Sequence, residues 1–168
     1  SPYMALNIVE FWRRWHITLS RFLRDYLYIP LGGNRKGKAR RYINLMITML
    51  LGGFWHGAGW TFIIWGGLHG TYLCINHCWQ HISKGCSITQ SAFYKLCALG
   101  LTFFAVVSAW VFFRSFTING ALEILSAMTG ANGFSLKGNP FYQGFDQLLS
   151  FVLIFGIAFL LPNTQTYM

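Results

Sequence analysis

The chain has 168 residues, of which 54% are hydrophobic, 18% aromatic and only 10% charged, and its 13 basic against 4 acidic side chains give a formal charge of +9. So few charges cannot cover the surface of an ordinary water-soluble globule, and so much apolar side chain excludes disorder. The positive charge does not mark a nucleic-acid binder, because nine of the thirteen basic residues fall between Arg13 and Arg41 and the rest of the chain offers phosphates almost no basic surface.

An all-α membrane chain is therefore expected, built of polytopic helices with interfacial amphipathic helices and one candidate re-entrant segment. Residues 8–29 place Phe11, Trp15, Leu19, Phe22, Tyr26 and Ile29 at helical spacing, with Arg13, Arg14, Arg21, Arg24 and Asp25 largely off that stripe. This predicts an amphipathic helix along the cytoplasmic interface. Pro30 begins a break, and residues 30–41 form a glycine-containing basic loop. Basic residues placed directly before an uncharged run put this loop on the cytoplasmic side.

Residues 42–83 contain no Asp, Glu, Lys or Arg, yet they hold four of the five histidines, His56, His69, His77 and His81. As one helix this run would measure about 63 Å, roughly twice the hydrocarbon thickness, so residues 42–82 are expected to cross, turn and return. The first apolar segment reaches to about residue 62, and Gly66, Gly67 and Gly70 mark where the second could bend or re-enter. A histidine at that depth has no carboxylate within the run to balance a charge. It is expected to be neutral, the form that suits a general base.

A polar connection follows at residues 83–90. Residues 92–113 are the clearest single span, closed by Arg114, and residues 118–129 predict a short interfacial helix ending at Gly130. Residues 130–144 read as loop and 147–161 as a last span cut short. With Ser1 at its start and no signal-peptide pattern, the chain reads as an internal piece of a longer protein. Cys74, Cys78, Cys86 and Cys97 lie mostly in or beside apolar segments and read as reduced thiols.

Three motifs compete for chemistry. Gly32-Gly33-Asn34-Arg35-Lys36-Gly37-Lys38-Ala39 has the spacing of a phosphate-binding loop, but Ala39 stands where Ser or Thr would hold magnesium and no strand run precedes it. The stretch reads instead as a basic loop whose Arg35, Lys36 and Lys38 are candidates for attracting a cofactor's phosphates. Cys74, His77, Cys78 and His81 share one helical face, yet they extend about 10 Å along the axis, too far for one helix to close a tetrahedral metal site. No metal is expected. Trp55-His56-Gly57 and His16 remain, and residue types alone leave a catalytic and a structural reading of each open.

The stretches Phe11-Trp12-Arg13-Arg14-Trp15-His16-Ile17-Thr18-Leu19-Ser20, Phe22-Leu23-Arg24-Asp25-Tyr26-Leu27-Tyr28-Ile29-Pro30-Leu31-Gly32-Gly33-Asn34, Gly53-Phe54-Trp55-His56-Gly57 and Trp65-Gly66-Gly67-Leu68-His69-Gly70 resemble the alginate O-acetyltransferase branch of the membrane-bound O-acyltransferase (MBOAT) family. The likeness is dense over residues 2–70. It thins afterwards, with Val111-Phe112-Phe113-Arg114 and Leu161-Pro162-Asn163 also similar. Members are much longer polytopic enzymes, so the resemblance covers the C-terminal part of one.

The resemblance implies transfer of an acetyl group from a cytoplasmic thioester, acetyl-CoA, toward a hydroxyl of an exported polysaccharide such as alginate. No cofactor would be bound permanently. It maps the family's nearly invariant histidine onto His56, the expected general base, and a position that varies among Asn, Asp and His onto His16, which would orient a reacting group. The indole N–H groups of Trp55 and Trp60 are candidate oxyanion donors. His69, among glycines, is read as supporting packing or access. The implied partners are membrane lipids and a periplasmic acetyltransferase that receives the acetyl group, and the implied location is the bacterial inner membrane, crossed several times. The alternatives are D-alanyl transfer toward teichoic acid, a channel or transporter whose histidines relay protons, and an inactive fragment.

Overall fold

The computed structural model describes residues 1–131, 133 and 145–160. Most of the loop expected at 130–144, and all of Leu161-Pro162-Asn163, lie outside the described residues. Among the described residues every regular element is helical and no strand forms. The α-helices are α1 (Ile8–Arg14), α2 (Ile17–Phe22), α3 (Lys38–Trp55), α4 (Trp60–Ile82), α5 (Ala92–Arg114), α6 (Ile118–Met128) and α7 (Phe145–Leu160), and a π-helical segment, Leu23–Tyr28, continues α2.

The uncharged run folds into an antiparallel hairpin of α3 and α4, turned by His56, Gly57, Ala58 and Gly59. Arg41 near the start of α3 meets His77 near the end of α4 at 2.7 Å, whereas Gly53 and Gly66 meet at the turn end. A Cβ at Gly53 would collide with the Phe62 carbonyl oxygen, and one at Gly66 with the Met49 carbonyl oxygen. The two backbones therefore touch, as small residues permit between helices in lipid. The bend or re-entry expected at Gly66, Gly67 and Gly70 does not occur. Helix α4 passes through all three unbroken, because Gly66 and Gly70 admit the α3 backbone and the Met46 side chain instead of making a turn.

Helix α5 returns antiparallel to α4, with the Trp79 indole donating to the Tyr94 hydroxyl at one end (2.8 Å) and Trp65 packed edge-on against Phe113 at the other. Its 23 residues make it the one helix among the described residues long and apolar enough to cross a membrane by length and composition. Its start is set by Ser91, whose hydroxyl accepts from the Tyr94 N–H.

The single helix expected over residues 8–29 is instead broken. Asn7 caps α1 by accepting from the Glu10 N–H, Glu10 reaches back to the Leu6 N–H, and Glu10 also pairs with Arg14. The chain then kinks at His16, which adopts the left-handed conformation (φ 41°, ψ 55°). Beyond the kink, α2 and its π-helical extension run alongside α3 from its His56 end toward its Lys38 end. Leu23 packs on Gly52, and the buried Asn44 side chain donates to the Leu31 and Gly33 carbonyls (3.2 and 3.1 Å). The kink also rotates the apolar face. Leu19 and Leu23 are buried, while Phe22, Tyr26 and Ile29 of the expected stripe are exposed.

Candidate active site

His56 follows the last residue of α3 and begins the hairpin turn. Gly57 continues it with a φ of 154°, and a Cβ there would strike the Phe62 ring, so this position favours glycine on both counts. The imidazole is held edge-on among rings from three elements: Trp55 (centroids 5.1 Å apart), Trp65 of α4 (5.3 Å) and Phe113 of α5 (5.0 Å). It is half-buried, and no acidic side chain forms an ion pair with it among the described residues.

His16 reaches the same neighbourhood from the α1–α2 kink. A left-handed non-glycine residue is strained unless its surroundings fix it. Here the Ser20 hydroxyl lies 2.9, 3.2 and 3.2 Å from the Trp12, Trp15 and His16 carbonyls, binding the end of α1 to the start of α2. The His16 side chain is exposed, and its neighbour Trp15 packs on Trp110 of α5, one turn before the Phe113 that touches His56.

A third histidine is buried deeper in the packing. His69 is completely buried, stacked on Phe11 (6.2 Å) and bounded edge-on by Trp12, Trp65 and Tyr72. Neither ring nitrogen has a partner among the described residues, and the same is true of the indole nitrogens of Trp12 and Trp65. Trp65 therefore touches both His56 and His69.

Of the candidate oxyanion donors, Trp55 and Trp60 are 67% and 72% exposed, whereas Trp65 combines contact with His56 and a buried, unpartnered N–H. Sequence reasoning passed over Trp65. The signal available was its spacing: Trp65 and His69 are four apart and share a helical face.

Arg35, Lys36 and Lys38 are all exposed, on the turns after the π-helical segment and at the first residue of α3. None of them borders the cavity of about 510 Å³ that opens between α1, the α2 segment and the hairpin. That cavity is lined by Arg13, Arg21 and Arg24, which the sequence placed merely off the apolar stripe. Cys74, His77, Cys78 and His81 follow one another along α4, and His77 is engaged by Arg41. No cluster of three or more metal-binding side chains occurs among the described residues.

Comparisons with known proteins show what the chain is similar to. The peptidoglycan O-acetyltransferase of Helicobacter pylori is 54% identical over 136 residues, covering 81% of this chain and 25% of that protein. The probable alginate O-acetylase AlgI of Pseudomonas syringae is 50% identical over 138 residues, covering 82% and 25%. The teichoic acid D-alanyltransferase of Streptococcus thermophilus is 30% identical over 133 residues, covering 69% and 32%. The chain thus spans about a quarter of the length of the first two relatives. The profile of MBOAT, the membrane-bound O-acyltransferase family, matches residues 3–119, and the chain belongs to that family.

Proposed function

We propose that the intact protein is an O-acetyltransferase of the inner membrane, crossing it several times, and that His56 is its general base. The observation that carries this reading is a half-buried imidazole at a helix turn, walled by Trp65 and Phe113 and free of acidic partners among the described residues. An imidazole in such surroundings is held neutral and can accept a proton without a carboxylate behind it.

The reaction follows from that geometry. His56 takes the proton of the acceptor hydroxyl as its oxygen attacks the thioester carbonyl. The Trp65 N–H is the indole best suited to stabilise the oxyanion, and collapse of the adduct breaks the C–S bond. The departing thiolate takes the proton back from His56. His16 orients the reacting groups. Acetyl-CoA is the donor, drawn from the cytoplasm with long-range help from Arg35, Lys36 and Lys38.

The acceptor is a hydroxyl of an exported polysaccharide, alginate being the case suggested by relatives named for it, reached directly or through a periplasmic acetyltransferase. No permanently bound cofactor is invoked. His56→Ala in the intact enzyme should abolish acetylation while membrane insertion stays normal. Polysaccharide acetylation at the wild-type level in that variant would exclude the base role. The teichoic acid D-alanyltransferase likeness supports D-alanyl transfer as a second reading, and labelled acetyl and D-alanyl donors supplied to the same membranes separate the two.

A further inference from the structure

Arg13, Arg21 and Arg24 line the cavity between α1, the α2 segment and the α3–α4 hairpin, and no Asp or Glu lines it with them. Arg24 is paired with Asp25 at 2.7 Å. Arg13 and Arg21 make no ion pair or hydrogen bond among the described residues. The opposite wall is apolar, built from Leu23, Leu45, Met49 and Leu73 with Trp12 at one side.

The level of this cavity matters. On the hairpin it is bordered by Leu45, Thr48 and Met49, in the middle of α3, a helix whose residues are uncharged after Arg41. Arg13, Arg21 and Arg24 are all exposed at the edge of the cavity, so their guanidinium groups are open to an anion that enters it. Asp25, outside the lining, supplies a charge to Arg24 and to Arg21, and the other polar neighbours supply none. Tyr28 donates to Asn34, Ser20 is occupied by three backbone carbonyls, and His77 accepts from Arg41, which adds a fourth cation behind the wall.

We propose that this cavity binds a phosphate ester carried on a long tail, with Arg13 and Arg21 on the phosphate oxygens and the tail along Leu45, Met49 and Leu73. Planar guanidinium groups match phosphate oxygens two at a time, which a carboxylate-free, two-arginine wall is suited to exploit. A volume of about 510 Å³ holds a headgroup and part of a tail. This chemistry has two sources, an anionic phospholipid of the surrounding membrane and the phosphorylated end of a thioester donor. The inference does not rest on the acyltransferase reading, since occupancy is measured without turnover.

The test uses the intact protein in detergent, with thermal unfolding and native mass spectrometry as readouts. Phosphatidylglycerol and coenzyme A are the two probes, and zwitterionic phosphatidylcholine is the control. Wild-type protein should be stabilised by one of the anionic probes and not by phosphatidylcholine. Arg13→Gln and Arg21→Gln should each weaken that binding about tenfold or more. Arg21→Lys, which keeps the charge and loses the fork, should weaken it less and serves where the glutamine variants do not fold. Lys84→Gln and Lys95→Gln, both exposed and outside the cavity, should leave binding within about twofold, as screened surface charges do. Stabilisation by phosphatidylglycerol alone identifies a lipid site, and by coenzyme A alone a donor site. Binding unchanged by the arginine variants, or no stabilisation of the wild type by either anionic probe, overturns the proposal.

Discussion

At the level of single residues, two histidines that look alike in sequence occupy opposite environments. His56 is half-exposed at a turn, while His69 is sealed among Phe11, Trp12, Trp65 and Tyr72. A neutral imidazole carries one donor and one acceptor, and leaving both unpartnered in a buried site costs about 1–3 kcal/mol each. Phenylalanine would fill much the same space without that cost. If His69 serves packing, His69→Phe should leave stability within about 1.5 kcal/mol, whereas His69→Ala should lower it by about 2–4 kcal/mol through the space it empties. Unfolding of the intact detergent-solubilised protein measures both, and acetyl transfer by His69→Phe completes the comparison. Loss of transfer at unchanged stability would assign His69 to the chemistry. The sequence offered His56 as a candidate because an imidazole in an uncharged run is conspicuous. It could not offer the walls around it, because Trp65 and Phe113 arrive from two later helices and their meeting is a property of packing. The strained His16 backbone was equally invisible, since glycine or asparagine is the usual sign of a left-handed residue.

Among the elements, the helices with local start signals were the legible ones. Ser91 and Thr117 each accept from the N–H three residues on, and the apolar run that follows Ser91 leaves no ambiguity about α5. The hairpin was harder to read. Glycine in an apolar segment signals either a turn or a close helix contact, and both uses occur here within 14 residues: Gly57 turns the chain, whereas Gly66 and Gly70 admit α3. Only the partner helix distinguishes them. The same contacts make a prediction about geometry. Gly53→Ala or Gly66→Ala places a methyl group into a carbonyl oxygen of the facing helix, forces the pair apart, and should cost about 1–3 kcal/mol. Because the separation of α3 and α4 sets His56 against Trp65, transfer should fall with it. Gly100 of α5 is the control. A Cβ there meets nothing within 4 Å among the described residues, so Gly100→Ala should be neutral or stabilising by up to about 1 kcal/mol.

The whole molecule sets the direction in which chemistry would run. Its outer apolar surface is large: Phe93, Leu96, Leu101 and Phe104 on α5 are 76%, 68%, 75% and 63% exposed, and α7 presents Val152, Leu153, Ile154 and Phe155 in the same way. An apolar face of this size marks a surface for lipid or for packed protein. Within that setting, 15 residues of α3 separate Arg41 from His56, about 22 Å along the axis. If the basic residues 35–41 face the cytoplasm, the His56 turn lies toward the opposite side, with the arginine cavity between them. A donor from inside and an acceptor from outside would then approach one imidazole from two directions. Single cysteines at Lys36 and Ala58, both exposed positions, test this in intact protein whose native cysteines are replaced by alanine. A membrane-impermeant thiol reagent should label Lys36→Cys only from the cytoplasmic side and Ala58→Cys only from the other. Labelling of both from one side would mean that α3 enters and leaves the membrane on the same face, and the two-sided route to His56 would have to be abandoned.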